Sequence, residues 1–473
     1  MFSVCIGSTK ITYRKCNYDG FSCVTNANKK RNLIYTCTAQ VNDILLYINM
    51  MGAPTDIDQV LVRNCQRVTL ATRCSSESRF PSYLGIVNVK YLTLPRYQYE
   101  PMVPPTVHLE NIGYIDVIPY HTFAQIEPAH YSAGCALSKS SFESLTMINV
   151  NIGEIQSGAI VATANFKNAV FVNVKIRRLQ TSGVKLKMDL PGEFKFENSS
   201  IDYVEHLGFQ LVNTRRAIFS GNNFTELSAS AINGTIGDFY FVNNTIETTL
   251  ACGFSLLATN VFIMNNTFIH MHSGALERIS PGLIQDSGRN FGRLKFVYDF
   301  SKNVINFVDA AGLNPDYVSY ENVQTEMVFR KNKLFCSCEN IGWLFSELGY
   351  GPNSLQLRTF YGKVLDENNL NVCFHNCVIP LKTVQRLIVN GKCLRNITID
   401  SICNTQVEID TLTKESTEVD ISTGSNAKRN DQINSIQSTT TDVPSTALSE
   451  AEAKCVSIIL IVLIISILGL LNN

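Results

Sequence analysis

The chain has 473 residues and carries 40 basic and 40 acidic side chains, so its formal net charge is zero. That balance removes the electrostatic case for a nucleic-acid partner. Fifteen cysteines, clustered toward the two ends, argue against a reduced cytosolic protein and for an oxidising compartment.

Residues 1–60 contain Cys5, Cys16, Cys23 and Cys37 and are expected to form an N-terminal cap. Met1–Gly7 is too short to hold the apolar core of a signal peptide. For an exported chain this implies a start further upstream; the alternative is an intracellular protein with a tail anchor. Cys65 and Cys74 complete the early cluster, and Cys135 and Cys252 stand apart as buried single thiols.

Residues 61–335 repeat. Asn149, Asn173, Asn198, Gly221, Asn243 and Asn265 are 24, 25, 23, 22 and 22 residues apart. Two positions before each stands a large apolar residue: Met147, Phe171, Phe196, Phe219, Phe241 and Ile263. Four before stands another apolar residue, and three after comes Ile152, Ile176, Ile201, Phe224, Ile246 or Phe268. Further on, a small residue precedes an apolar one, as in Gly208-Phe209 and Ala231-Ile232. Weaker copies extend the pattern on both sides, to about nine or ten coils between roughly 60 and 335. Such a period means a solenoid. The alternating apolar positions before the asparagine predict a short strand with one face inward. Asn222, Asn244 and Asn266, 22 residues apart, fall at one turn of successive coils. Asparagine tolerates left-handed backbone, and its amide can bond to the coil above or below, so these three predict an asparagine ladder. Asn198, Asn223, Asn233, Asn243, Asn265 and Asn396 each head an Asn-x-Ser/Thr sequon, a glycosylation signal in an exported chain.

Phe239-x-Phe241-x-x-Asn244-x-Ile246 and Val261-x-Ile263-x-x-Asn266-x-Phe268 resemble the strand segment of leucine-rich repeats. However, leucine is scarce in these columns, and Gly253–Val261 reads as a second strand and turn rather than a helix. The whole coil is more similar to right-handed parallel β-helix repeats of the pectin-lyase-like kind, with short strands separated by Asn-rich turns. The resemblance implies an all-β, right-handed parallel β-helix of 22–25-residue coils with disulfide-bonded caps; a leucine-rich repeat horseshoe is the alternative.

Residues 336–404 hold Cys336, Cys338, Cys373, Cys377, Cys393 and Cys403. Cys336-Ser337-Cys338 with Trp343 looks like the cysteine-rich cap of leucine-rich repeat ectodomains. An exposed last coil needs such a cover in either family. Residues 405–454 are polar and free of aromatics, and read as a disordered Ser/Thr-rich stalk. Residues 455–473 are apolar up to Leu471, with no cationic stop after them. Small residues, a polar spacer and a terminal apolar tail form the pattern of a GPI-attachment signal, with Ser445 and Ser449 as candidate anchor residues. A single-pass transmembrane helix is the alternative, and a buried core segment the third reading. Either membrane reading places residues 1 to about 450 outside the cell.

Many β-helix proteins cleave acidic polysaccharides with clustered Asp, or with Arg and Lys beside calcium. This chain has no Asn-Thr-Asp, no Gly-His-Gly and no repeated Asp column. The outward positions beside the asparagines are Ile148, Val172, Glu197, Ser220, Val242 and Met264, whereas a catalytic face needs several carboxylates or bases. His270-x-His272 places two imidazoles on one strand face, but no third ligand is visible, so no metal and no cofactor is expected. Arg177-Arg178 and Arg215-Arg216 read as solvated turns. The expectation is a cell-surface glycoprotein that binds an extracellular protein or glycan, held to the membrane by its tail or a lipid anchor, and not an enzyme. The alternatives are a carbohydrate-active β-helix enzyme and a structural coat component.

Overall fold

The computed structural model describes residues 3–6, 9–12, 21–38, 43–47, 57–71, 81–94, 104–125, 142–282, 294–313, 323–336, 341–344, 362–374, 377–385, 388–389 and 392–393. The stalk, the tail, Ser445, Ser449, Asn396, Cys338 and Cys403 lie outside these residues. No helix among the described residues is long and apolar enough to cross a membrane.

The fold is a parallel β-solenoid of about eight regular turns, each of about 24 residues. Nine or ten coils were expected. The longer turns account for the difference: 38 residues separate Asn111 from Asn149, 37 separate Asn266 from Asn303, and 39 separate Asn332 from Asn371. On the far side of each longer spacing the ladder resumes in register.

Each regular coil has three faces. On the first, Phe196, Phe219, Phe241 and Ile263 pair in consecutive register. All four are buried. Their rings pack at centroid distances near 6 Å, as in Phe196–Phe219 at 6.2 Å and Phe219–Phe241 at 6.1 Å. The second face lies past the corner: Ile152, Ile176, Ile201, Phe224, Ile246, Phe268 and Ile305 form one inward column. On the third, Ile160, Val184, Phe209, Ile232 and Phe254 do the same. The long strands Phe209–Ser220, Ile232–Val242 and Phe254–Met264 serve both the third face and the first. The second half of the coil is thus strand, which fits the β-helix and sets aside the horseshoe. The small residue before the third face has a steric cause: a Cβ on Gly208 would lie 2.7 Å from Val204 Cγ1, and one on Gly253 2.6 Å from Thr249 Cγ2.

The corner between the first and second faces is left-handed. Asn64, Asn88, Asn111, Asn149, Asn173, Asn198, Asn243 and Asn265 all have φ between +50° and +60°, a region asparagine tolerates better than most residues. Gly221 takes this place with φ +68°, and Lys302 and Lys331 take it in later coils; a Cβ on Gly221 would sit 2.6 Å from Asn198 Oδ1.

Two ladders run beside this corner. In the early coils the exposed corner asparagines bond to one another. Asn88 Nδ2 donates to Asn64 Oδ1, Asn111 to Asn88, Asn149 to Asn111 and Asn173 to Asn149, at 2.7–3.0 Å. In the later coils the residue one further on is asparagine, and it is buried. Asn222 donates through N and Nδ2 to Asn244 Oδ1. Asn244 repeats this onto Asn266, Asn266 onto Asn303, Asn303 onto Asn332 and Asn332 onto Asn371. Each Nδ2 also caps a carbonyl on the first face, Phe196 O for Asn222 and Phe219 O for Asn244. Before Asn222 this inner position holds apolar Cys65, Val89, Ile112, Val150 and Val174. Ser199 is the junction: its N donates to Asn222 Oδ1, and its Oγ accepts from Val174 N.

The parallel stack reaches past the boundaries drawn from sequence at 60 and 335. It begins with Arg31–Thr36 against Ile57–Ala71, and Phe21–Thr25 covers that first strand antiparallel. At the far end Lys333–Phe335 pairs parallel with Val372–Phe374, which Val378–Pro380 then covers antiparallel. Antiparallel end strands stop further parallel addition to the stack.

Disulfides tie neighbouring coils: Cys37 to Cys65 and Cys336 to Cys373. Cys23, Cys252 and Cys377 are also disulfide-bonded. For Cys252 this corrects the reading of a single buried thiol; Cys135, read the same way, lies outside the described residues. These bridges fit an oxidising compartment.

Candidate functional site

The outward side of the first face is a candidate binding surface. Between its inward phenylalanines the strands alternate, which turns every second residue to solvent. Ile218, Tyr240 and Phe262 form one outward row, in direct register. Val242 and Met264 form the row beside it, with Ile148 and Val172 at the same position in earlier coils. All are half-buried, as outward residues flanked by neighbouring strands are. Tyr240 and Phe262 stack with ring centroids 4.9 Å apart and planes 12° from parallel.

Two carboxylates beside this face are engaged, whereas Asp299, in register with Phe262, has a buried Oδ1 with no hydrogen-bond partner among the described residues. Glu193 lies 3.4 Å from Lys195 and 3.5 Å from Arg216, and Asp238 accepts from Asn260 Nδ2 at 2.7 Å. Glu197 and Ser220 interrupt the second row, in register between Val172 and Val242. A shallow groove on the third face is lined by Val212, Asn233, Thr235, Ser255, Leu257 and Arg278, and its lining includes no carboxylate. General acid–base cleavage of a glycan needs two such groups converging on one bond.

The arginine pairs do different things. Arg178 donates to Glu205 at 2.7 Å, and this hydrogen bond holds its guanidinium proton still more firmly than usual. Arg216 leans on Glu193, while Arg215 is exposed.

The sequon asparagines fall in two settings. Asn198, Asn243 and Asn265 occupy the exposed left-handed corner, and Asn223 is exposed just beyond it. Glycans there would stand along one edge of the first face and leave its outward rows bare. Asn233 is half-buried in the groove beside Gly234 and Arg278.

A second cluster sits on the other side of the corner. His270 lies in Thr267–Met271 and His272 just after it. Their rings are 4.1 Å apart. Asp309, in the next coil, reaches both: Oδ1 is 3.2 Å from His270 Nε2 and Oδ2 is 2.9 Å from His272 Nδ1. The pairing is fixed by the ladder, since Asp309 N donates to Met271 O between the two histidines. Sequence shows the His-x-His pair but not its third member. Asp309 is 37 residues beyond His272, on the far side of a long turn, so no fixed period points to it.

Comparison with known families finds no match to this chain, and none of the curated proteins compared matches it.

Proposed function

We propose that the protein is an extracellular binding solenoid, tethered to the membrane through its C-terminal tail, whose first face docks a protein ligand or a glycan. The observation that carries this reading is the outward stripe of Ile218, Tyr240, Phe262, Val242 and Met264, held in register on a rigid stack. Accessible aromatic and aliphatic side chains on a firm scaffold favour recognition, because little conformational entropy is lost on contact. The disulfides and the exposed sequons support placement at the cell surface. The lipid anchor at Ser445 or Ser449 is part of the same proposal, supported by the tail's sequence pattern.

Soluble glycosylated protein should decorate cell surfaces saturably. Tyr240→Glu with Phe262→Glu should abolish decoration while leaving the melting temperature within a few degrees, since both side chains point outward. Equal decoration by the variant would sink the face. Release of shortened or unsaturated sugars from acidic polysaccharides by the wild-type protein would instead favour the enzyme reading.

A further inference from the structure

We infer that His270, His272 and Asp309 form a binding site for a divalent transition-metal ion of the zinc, nickel or copper class. This is independent of the ligand-binding face, from which it is separated by the corner.

Among the described residues these three form the one group of metal-ligating side chains whose donor atoms all lie within 4.8 Å of one another. Donor atoms around a tetrahedral zinc ion, each about 2.0–2.2 Å from the metal, lie roughly 3.4 Å apart. The two carboxylate contacts, 3.2 and 2.9 Å, are already near that figure. The backbone itself is pinned, since His272 N donates to Thr249 O and Asp309 N to Met271 O, each at 2.9 Å.

One carboxylate lies between two imidazoles whose planes are tilted 31° to each other, a two-histidine, one-carboxylate donor set. Imidazole nitrogen with one carboxylate oxygen suits zinc, nickel or copper and disfavours calcium and magnesium, which want oxygen alone. The three side chains are between 36% and 45% exposed. Three protein ligands with solvent on one side leave a coordination position open for water or for a group on a partner molecule. Phe307, with its ring 6.4 Å from that of His270, walls one side with an apolar surface.

The test uses the full chain without a polyhistidine tag, titrated separately with Zn(II), Ni(II), Cu(II) and Ca(II) in a calorimeter, with Cu(II) paramagnetic resonance as a second readout. One transition-metal ion should bind per chain, with nitrogen hyperfine structure in the copper spectrum. His270→Gln and His272→Gln should each weaken binding by at least roughly 100-fold, the upper end of what losing an outer-shell partner costs. His108→Gln is the control: His108 contacts Glu110 at 2.9 Å and stacks on Tyr83, outside the proposed site, and its loss should leave metal binding unchanged. Metal-free melting curves of the variants verify that they fold. Absence of stoichiometric binding, binding unaffected in both histidine variants, or equal preference for Ca(II) would each overturn the inference.

Discussion

At the scale of single residues the asparagines carry the clearest consequence. Asn244 accepts two hydrogen bonds from Asn222 and donates to Phe219 O and Asn266 Oδ1, all of it buried. Asn244→Leu leaves several polar groups unpaired, at about 1–3 kcal/mol each, so chemical denaturation should show a loss of at least about 3 kcal/mol. Asn111→Gly, on the exposed ladder, removes two solvated bonds, to Asn88 and from Asn149, and keeps a residue that accepts positive φ; it should cost about 1 kcal/mol. If the two losses are equal, the buried ladder is not the stronger device. Phe241→Ala should cost about 3–5 kcal/mol as a large-to-small change in a packed interior, and a melting temperature unchanged from wild type would contradict its place in the inward column. The 22-residue spacing of Asn222, Asn244 and Asn266 is visible in the sequence. Their continuation through Asn303, Asn332 and Asn371 is not, because insertions stretch the spacing to 37, 29 and 39. Asp309 is hidden from sequence by the same long turn, and Ser199 because a serine in an asparagine column looks like a gap rather than a junction.

At the scale of elements, the repeat makes the strands of all three faces readable from their apolar alternation. The ends are harder to place. Arg31–Thr36 and Val372–Phe374 belong to the parallel stack, yet each stands outside the regular period and beside cysteines, so composition draws them into the caps. Cys336–Cys373 spans 37 residues and staples Lys333–Phe335 to its successor. A loop of that size stabilises by about 4 kcal/mol in the chain-entropy treatment. Replacing both cysteines by alanine should therefore fray the last coil first, seen as faster amide exchange at 372–374 with little change at 232–264. Uniform acceleration along the whole stack would instead mean that the coils open together.

For the whole molecule, placement outside the cell has direct readouts. Phosphatidylinositol-specific phospholipase C should release the protein from intact cells; retention, with a stalk peptide continuous into Cys455, would show a spanning helix instead. The released protein should carry N-glycans at the exposed Asn198, Asn223, Asn243 and Asn265, and least at Asn233, whose side chain is half-enclosed by the groove. The two ladders also give the stack a polarity. In the early coils each amide donates backward, Asn173 to Asn149 and Asn149 to Asn111; in the later coils each donates forward, Asn222 to Asn244 and Asn244 to Asn266. Hydrogen bonds aligned head to tail polarise and strengthen one another, so each half is a chain of mutually reinforcing dipoles. The two chains point away from each other: the exposed one starts at Asn173, and the buried one runs from Val174 N through Ser199 to Asn222 Oδ1. Among the described residues no asparagine-to-asparagine bond joins the coils from Asn173 to Asn222, where backbone pairing and Ser199 alone continue the stack, so the molecule pulled from its ends should be weakest there. It should yield in two force steps rather than coil by coil, parting first between the coils of Asn173 and Asn222.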